Sequence, residues 1–244
     1  MKTNKLQRDV TIISEIHPQH YGSISEIKRM IIQSKIGGAD IVKLQLYDSK
    51  KLWGDAKRSY LDITKDELFE INEFCKFQGI ELSASIFDLK RVEWCSELNF
   101  KTYKIASRSV DDKELCEKII SLNKKTIVSL GMYDYQKKGK PFENNPNISY
   151  LYCVAKYPTP LSDIDMPDFN NSFFSGYSDH TIGISACLYA VSKGAKFLEK
   201  HFTLNKSFQD PLQKAHICSM DINELKNLRH IADNFTKIRF YESL

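Results

Sequence analysis

The strongest constraint on this chain is an alternation: short apolar runs rich in Val, Ile, Tyr and Phe recur between amphipathic stretches along nearly its whole length. VTIISEI (10–16) reads as a strand, and SISEIKRMIIQSKIGG (23–38) as a helix. Ser23 or Ser25 can cap the helix start, and Gly37 and Gly38 can end it in the left-handed conformation that other residues resist. The strand DIVKLQLY follows at once. Next come a helix over 65–78, the strand GIELSAS, a helix over 88–98, the strand TYKIAS, a helix near 111–122, and the strands KTIVSL and ISYLYCV. FFSGYS, a helix over 182–193, AKFLEKHF and a last helix over 221–235 complete eight strands. The stretch 132–147 is polar without helical periodicity, so one outer helix is expected to be short or replaced by a loop.

Eight such units in 244 residues, close to the roughly 250 typical of one barrel, favour an α/β fold of the (β/α)8 TIM-barrel type. It is expected to form a single domain over 1–244 with its core at about 10–238. The strands read as near-continuous apolar runs, as strands buried on both faces do. An open doubly wound sheet permits the same alternation. Against it, no G-x-G-x-x-G follows the first strand, and polar residues recur at the ends of many strands rather than at one switch point. No Pro/Gly-rich linker divides the chain, and a faint echo between SKIGGADIVKLQ and SKGAKFLEKH suits two equivalent helix-to-strand joints.

No run approaches the roughly 20 apolar residues that cross a membrane, and MKTNKLQRD lacks the apolar core of a secretory signal, so the expected setting is cytoplasmic. The excess of 35 basic over 31 acidic residues is small and spread out, so neither nucleic acid nor a membrane is expected as a partner. Cys75, Cys95, Cys116, Cys153, Cys187 and Cys218 are scattered with no C-x-x-C pair, which argues for buried free thiols over a zinc knuckle or disulfide framework.

Barrels keep their active sites at the C-terminal ends of the strands. Those ends carry Glu15, Lys43 with Gln45, Ser85, Lys104 with Ser107, Ser129, Tyr157 just beyond strand six, Ser178 with His180, and Glu199 with His201. Taken singly, each suits a loop cap or a strand-end salt bridge; their concentration points to a site. Lys43 and Lys104 lie inside apolar strands, where an unpaired ammonium is costly, so each should meet an anion. A structural carboxylate would suffice, and so would a substrate phosphate or carboxylate, for which Ser107, Ser129 and Ser178 add hydroxyl donors. His180 and His201 end adjacent parallel strands, about 4.8 Å apart. They suit an open metal site completed by water and substrate oxygens, or a hydrogen-bonded pair near Asp179. Glu199 shares the His201 side of its strand and could orient a metal-bound water. His20 is a weaker candidate for substrate contact; His17, His216 and His230 read as structural.

Taken together, SEIHPQHYGS, GADIVKLQ, SIFD, YKIAS, SLGM, YCVAKYP, GYSDHTIG and GAKFLEKHFTL, in this order and spacing, resemble the N-acetylneuraminate (sialic acid) synthase family from about Val10 to Arg229. GYSDHTIG with EKHFTL is the specific part. The resemblance implies a transferase of carbohydrate biosynthesis that condenses phosphoenolpyruvate with an aldose. Its products would be a 3-deoxy-2-keto, sialic-acid-like sugar and phosphate, made with the help of a divalent metal, Mn or Mg. It implies that Lys43, Lys104, Ser107, Ser129 and Ser178 hold the phosphate and carboxylate of phosphoenolpyruvate, with Ser85 where the family usually has threonine. Gln45 and Tyr157 would face the acceptor, His180 and His201 would ligate the metal, and Glu15 and Glu199 would handle its water or the reacting aldehyde. Glu15, Lys43, Lys104 and Glu199 are thus the implied catalytic set.

The chain also departs from the family pattern. His17, Pro18 and Gln19 change the lip of the pocket, Ala155 removes a polar side chain near strand six, and Leu212 stands where an acidic sugar contact is expected. The family's small C-terminal antifreeze-like domain is expected to be missing, its place taken by a homo-oligomer or a separate partner protein. Two other readings stay open: a metal-free aldolase using a Schiff-base lysine, and a catalytically silent barrel that binds a sugar or a partner.

Overall fold

A computed structural model describes residues 9–142, 145–207 and 217–242. Eight parallel strands pair in chain order: β1 (Thr11–Glu15), β2 (Ile41–Leu46), β3 (Glu81–Ile86), β4 (Thr102–Ile105), β5 (Lys125–Ser129), β6 (Ile148–Cys153), β7 (Phe174–Asp179) and β8 (Phe197–His201). β1 also pairs with β8, with Glu15 opposite His201, so the sheet closes and has no edge. That pairing settles the choice between barrel and open sheet in favour of the barrel.

α1 (Ile24–Gly37) begins where the Ser23 hydroxyl accepts the Glu26 N–H, and stops at Gly38, whose φ of 94° is left-handed. Gly37 is helical and not the cap. A Cβ there would sit 2.6 Å from Leu225, because α1 packs closely on α8 (Ile222–Glu242). The second connection carries a short helix, α2 (Ser49–Trp53), capped by Asp48, before α3 (Lys65–Gln78), which opens with a Thr64–Glu67 capping box. α4 (Leu89–Glu97), α5 (Lys113–Ser121) and α7 (Ser185–Ser192) follow the sequence expectation to within a few residues. α8 continues past 235, because no breaker follows Phe235 and Arg239 reaches the Ser192 carbonyl at the end of α7.

The outer ring of helices is incomplete. α6 (Tyr135–Lys138) has four residues, and the connection from β6 to β7 carries only a 3-10 turn, Leu161–Asp163. Tyr135, Tyr150, Tyr152, Phe173 and Phe174 cover that side instead, through edge-on contacts with ring centroids 5.1 to 5.9 Å apart.

Inside the barrel, Ile13, Ile41, Ile127 and Leu151, with Phe197 against them, form an apolar floor. Because side chains along a strand alternate faces, the next inward residues on those strands are Glu15, Lys43, Ser129, Cys153 and Glu199. A polar layer therefore sits directly on the floor. All six cysteines are buried free thiols, and among the described residues no helix is long and apolar enough to cross a membrane.

Candidate active site

A cavity of about 530 Å³ opens above this floor, at the C-terminal ends of the strands. Every residue singled out at the strand ends lines it: Glu15, Lys43, Gln45, Ser85, Lys104, Ser107, Ser129, Tyr157, Ser178, His180, Glu199 and His201. Lys43 Nζ donates to Glu15 and, at 3.0 Å, to Ser85 Oγ; it also lies 3.7 Å from Glu199 Oε2. Lys104 Nζ donates to Ser129 Oγ at 2.8 Å and lies 3.8 Å from Glu199 Oε1, which accepts the Ser178 hydroxyl at 3.0 Å. The buried lysines thus meet carboxylates of the site itself, and the two positive and two negative charges balance, as burial demands.

Burial pushes the Lys43 ammonium down to about 8; Glu199 opposes the drop and Lys104 adds to it. Burial alone would raise Glu199, but Lys104, Lys43 and the Ser178 hydroxyl together outweigh it and hold the carboxyl below its ordinary range. Glu199 Oε2 has no hydrogen-bond partner among the described residues. An orphaned acceptor of this kind, aimed into a cavity, marks a place for a ligand donor.

His180 and His201 stand at the top of this layer with ring centroids 5.8 Å apart, and the Tyr157 ring lies 4.1 Å from that of His180. His180 Nδ1–H donates to the Val154 carbonyl at 2.9 Å, so in the neutral ring Nε2 carries a lone pair. Nδ1 of His201 is buried with no hydrogen-bond partner among the described residues. Burial, then the charges of His180 and Lys43, hold His201 well below the ordinary imidazole range, hence neutral. His180 goes the other way: burial lowers it, but Cys153, the Val154 carbonyl and Asp179 together outweigh burial and raise it above the ordinary imidazole value. The lone pairs that the two imidazoles offer when deprotonated fit a divalent metal. Among the described residues no group of three His, Cys, Asp or Glu side chains forms a ready-made metal cluster, so the other positions would fall to water or substrate oxygens. Asp179 does not join the histidines. It turns to the other face of β7 and meets Lys200 Nζ at 2.7 Å.

The lip differs from expectation at its histidines. His17 lines the cavity, whereas His20 lies behind it. Pro18 also reaches the cavity, while Gln19 turns away to Ser219 Oγ. Burial lowers His20 to about 4 and His17 well below its usual value, so both rings are neutral. The Gly22 N–H donates to His20 Nδ1, which puts the His20 proton on Nε2. His20 Nε2 must then donate to His17 Nδ1 at 2.8 Å, and His17 Nε2 to the Tyr47 oxygen at 2.8 Å. One backbone N–H therefore fixes the chain's direction and leaves the Tyr47 O–H free to donate into the cavity it lines. Tyr47→Phe is expected to raise the substrate KM by about tenfold and to lower stability by about 1–3 kcal/mol, since the His17 N–H loses its acceptor. Steady-state kinetics and thermal melts check both, and a variant indistinguishable from the parent would refute the relay.

Tyr47, Trp53, Arg58, Phe87, Arg108, Met132 and Cys153 also line the cavity and escaped the strand-end reading. Most lie on connections that no periodicity marks. Tyr47 did carry a signal, because Lys43, Gln45 and Tyr47 alternate along one face of β2 and its continuation. Ala155 lines the cavity, His230 lies on the exposed side of α8 against Asn234, and Leu212 and His216 lie outside the described residues.

Comparison with known proteins follows the same outline. A family model described as the NeuB family matches residues 30–239. An uncharacterized protein of Methanocaldococcus jannaschii is 34% identical over 89% of this chain and 68% of its own length. The N-acetylneuraminate-9-phosphate synthase of Drosophila melanogaster is 30% identical over 96% of this chain and 70% of its own. Among solved structures, the N-acetylneuraminic acid (sialic acid) synthetase of Leptospira borgpetersenii superposes with a TM-score of 0.84 at 26% identity, covering 94% of this chain and 84% of that one.

Proposed function

The chain belongs to the NeuB family, and from that premise we propose that it is a sugar-acid synthase condensing phosphoenolpyruvate with an aldose. The observation that carries the reading is the charge-balanced quartet of Glu15, Lys43, Lys104 and Glu199, buried beneath His180 and His201 with Ser85, Ser129 and Ser178 at its edge.

In this reading Lys43 and Lys104 turn part of their donor capacity from the two carboxylates to the phosphate and carboxylate of phosphoenolpyruvate, joined by Ser85, Ser107, Ser129 and Ser178. Gln45 and Tyr157 hold the acceptor aldose with its aldehyde toward His180 and His201. Those histidines would hold Mn or Mg, which supplies Lewis-acid polarisation of the aldehyde when bound. The enol carbon attacks the aldehyde carbon, water adds to the resulting cation, and phosphate leaves. Glu15 and Glu199, beside the lysines, take a proton from the attacking water and return one to the former aldehyde oxygen, which becomes the product's hydroxyl. Fixed charges in a water-poor cavity make the largest contribution to such a reaction. A cytoplasmic setting, and a second copy or separate partner protein completing the site, belong to the same reading.

The test is phosphate release from phosphoenolpyruvate across a panel of aldoses with Mn or Mg, repeated with chelator. Release that chelator abolishes is the expected result. No release with any aldose would leave a silent binding barrel. One observation favours a second reading: a lysine lowered to about 8, as Lys43 is, suits Schiff-base chemistry. Borohydride trapping with a keto acid separates the two, and a stable adduct on Lys43 would replace the metal-dependent mechanism.

A further inference from the structure

We propose that Tyr47, set by His17 and His20 as a one-way hydrogen-bond donor, is a specificity-determining residue for the acceptor aldose. It binds a substituent that offers a lone pair, a hydroxyl or carbonyl oxygen, and rejects a protonated amine at the same place. One backbone group decides the sense of the relay. The Gly22 N–H occupies His20 Nδ1 at 3.0 Å, so the His20 ring proton sits on Nε2 and is spent on His17 Nδ1 at 2.8 Å. The His17 ring proton is then on Nε2 and is spent on the Tyr47 oxygen at 2.8 Å. Reversing the relay would put a proton on His20 Nδ1, against the Gly22 N–H. Passing protons along it toward the cavity would leave His20 an imidazolate. The two histidines therefore orient Tyr47 and do not conduct through it; they are positioning residues.

Having accepted the His17 N–H, the phenol has its own proton to give, and among the described residues no acceptor takes it. The buried ring has no freedom to seek one elsewhere. It is wedged edge-on between His17 and Phe87, with ring centroids 5.2 Å and 5.9 Å away.

Height in the barrel assigns this hydroxyl to the acceptor and not to phosphoenolpyruvate. Lys43, Gln45 and Tyr47 share one face of β2 and its continuation, and each step of two residues climbs about 6.6 Å. Lys43 lies in the layer proposed for the phosphate and carboxylate of phosphoenolpyruvate, Gln45 one step above it and Tyr47 two. Gln45, Tyr47, Leu52 and Phe87 all line the cavity, so an aldose standing over Gln45 brings a substituent against the phenol. A hydroxyl or carbonyl oxygen accepts its proton. An ammonium brings only donors, meets an O–H directed at it, and has no means of reversing the relay.

The assignment to the acceptor rests on the condensation reading, whereas the sense of the relay does not, so the two are measured separately. Heteronuclear NMR of the histidine side-chain nitrogens reads the relay in the unmodified protein. Both His17 and His20 are expected to be neutral with the proton on Nε2, and a His17 proton on Nδ1 overturns the proposal. Selection is read as kcat/KM for phosphate release from phosphoenolpyruvate, with aldoses in which one hydroxyl at a time is replaced by an amine. At one position the amine should cost at least about tenfold. That cost should fall severalfold in Tyr47→Phe, which removes the O–H, and in His17→Phe, which keeps a ring in place but frees the phenol to turn. The KM of phosphoenolpyruvate should stay unchanged. No cost at any position, an equal cost in the parent and both variants, or a change in the phosphoenolpyruvate KM in place of the aldose KM overturns the assignment. If no aldose is turned over, ligand-observed NMR of the same pairs with chelator present reads selection by binding alone. Weaker binding of one amine that Tyr47→Phe abolishes then supports the assignment, and equal binding at every position removes it.

Discussion

On the proposed metal-dependent condensation, His180→Ala is expected to lower phosphate release by at least about 100-fold and to weaken Mn binding by a similar factor, because the change would delete a ligand where even supporting residues are worth 10- to 100-fold. The fold should survive the loss. The His180 ring is held by a hydrogen bond to the Val154 carbonyl, by Cys153 Sγ at 3.8 Å from Nδ1 and by contact with Tyr157, which is 42% exposed at the mouth and can settle into the vacated space. Calorimetric titration with Mn and steady-state release measure the two effects separately. Wild-type Mn affinity together with full activity in this variant would remove the metal site from the scheme. Loss of activity with intact Mn affinity would instead make His180 a group that acts on substrate.

Asp179→Ala destabilises the protein by about 3–5 kcal/mol, which for a chain of this length lowers the melting temperature by on the order of 10 °C. Asp179 and Lys200 are both fully buried, on the outer faces of β7 and β8, and their charges meet at 2.7 Å. Asp179 also accepts the Thr181 N–H at 2.8 Å, and Lys200 donates to the Thr181 carbonyl at 2.7 Å. Removing the carboxylate strands an ammonium in the core and unties the turn that carries His180, so activity falls with stability. Combining Asp179→Leu with Lys200→Met removes both charges and should recover most of the lost stability, as replaced buried pairs often do. An Asp179→Ala protein within about 1 kcal/mol of the parent would mean that the pair is better solvated than its burial indicates.

This pair also shows why two separated motifs belong together. GYSDHTIG and EKHFTL stand out in the sequence through their histidines, yet the residues just before those histidines, Asp179 and Lys200, join β7 to β8 on the side away from the cavity. Strand alternation assigns them to opposite faces from His180 and His201, and nothing local says that they meet.

Periodicity and chain length alone identified the eight strands and most of the helices, because burial on both faces leaves a continuous apolar run that needs no neighbour to be recognised. The same alternation identified the inward residues at each strand end, which is why Glu15, Lys43, Lys104, Ser178, His180, Glu199 and His201 were legible before any fold was known. Closure of β1 on β8 was favoured by eight units in this length and by polar residues at many strand ends, but the runs alone suit an open sheet equally, and the pairing itself decides it. The missing outer helix between β6 and β7 was not legible, because aromatic rings replace it through contacts far apart in the chain. The relay from His20 to Tyr47 and the charge balance of the quartet likewise depend on distances between different strands and connections. Sequence determines which face a residue takes, because that follows from its own strand; only the closed barrel decides which residues face each other, because that depends on strands and loops that no local pattern relates.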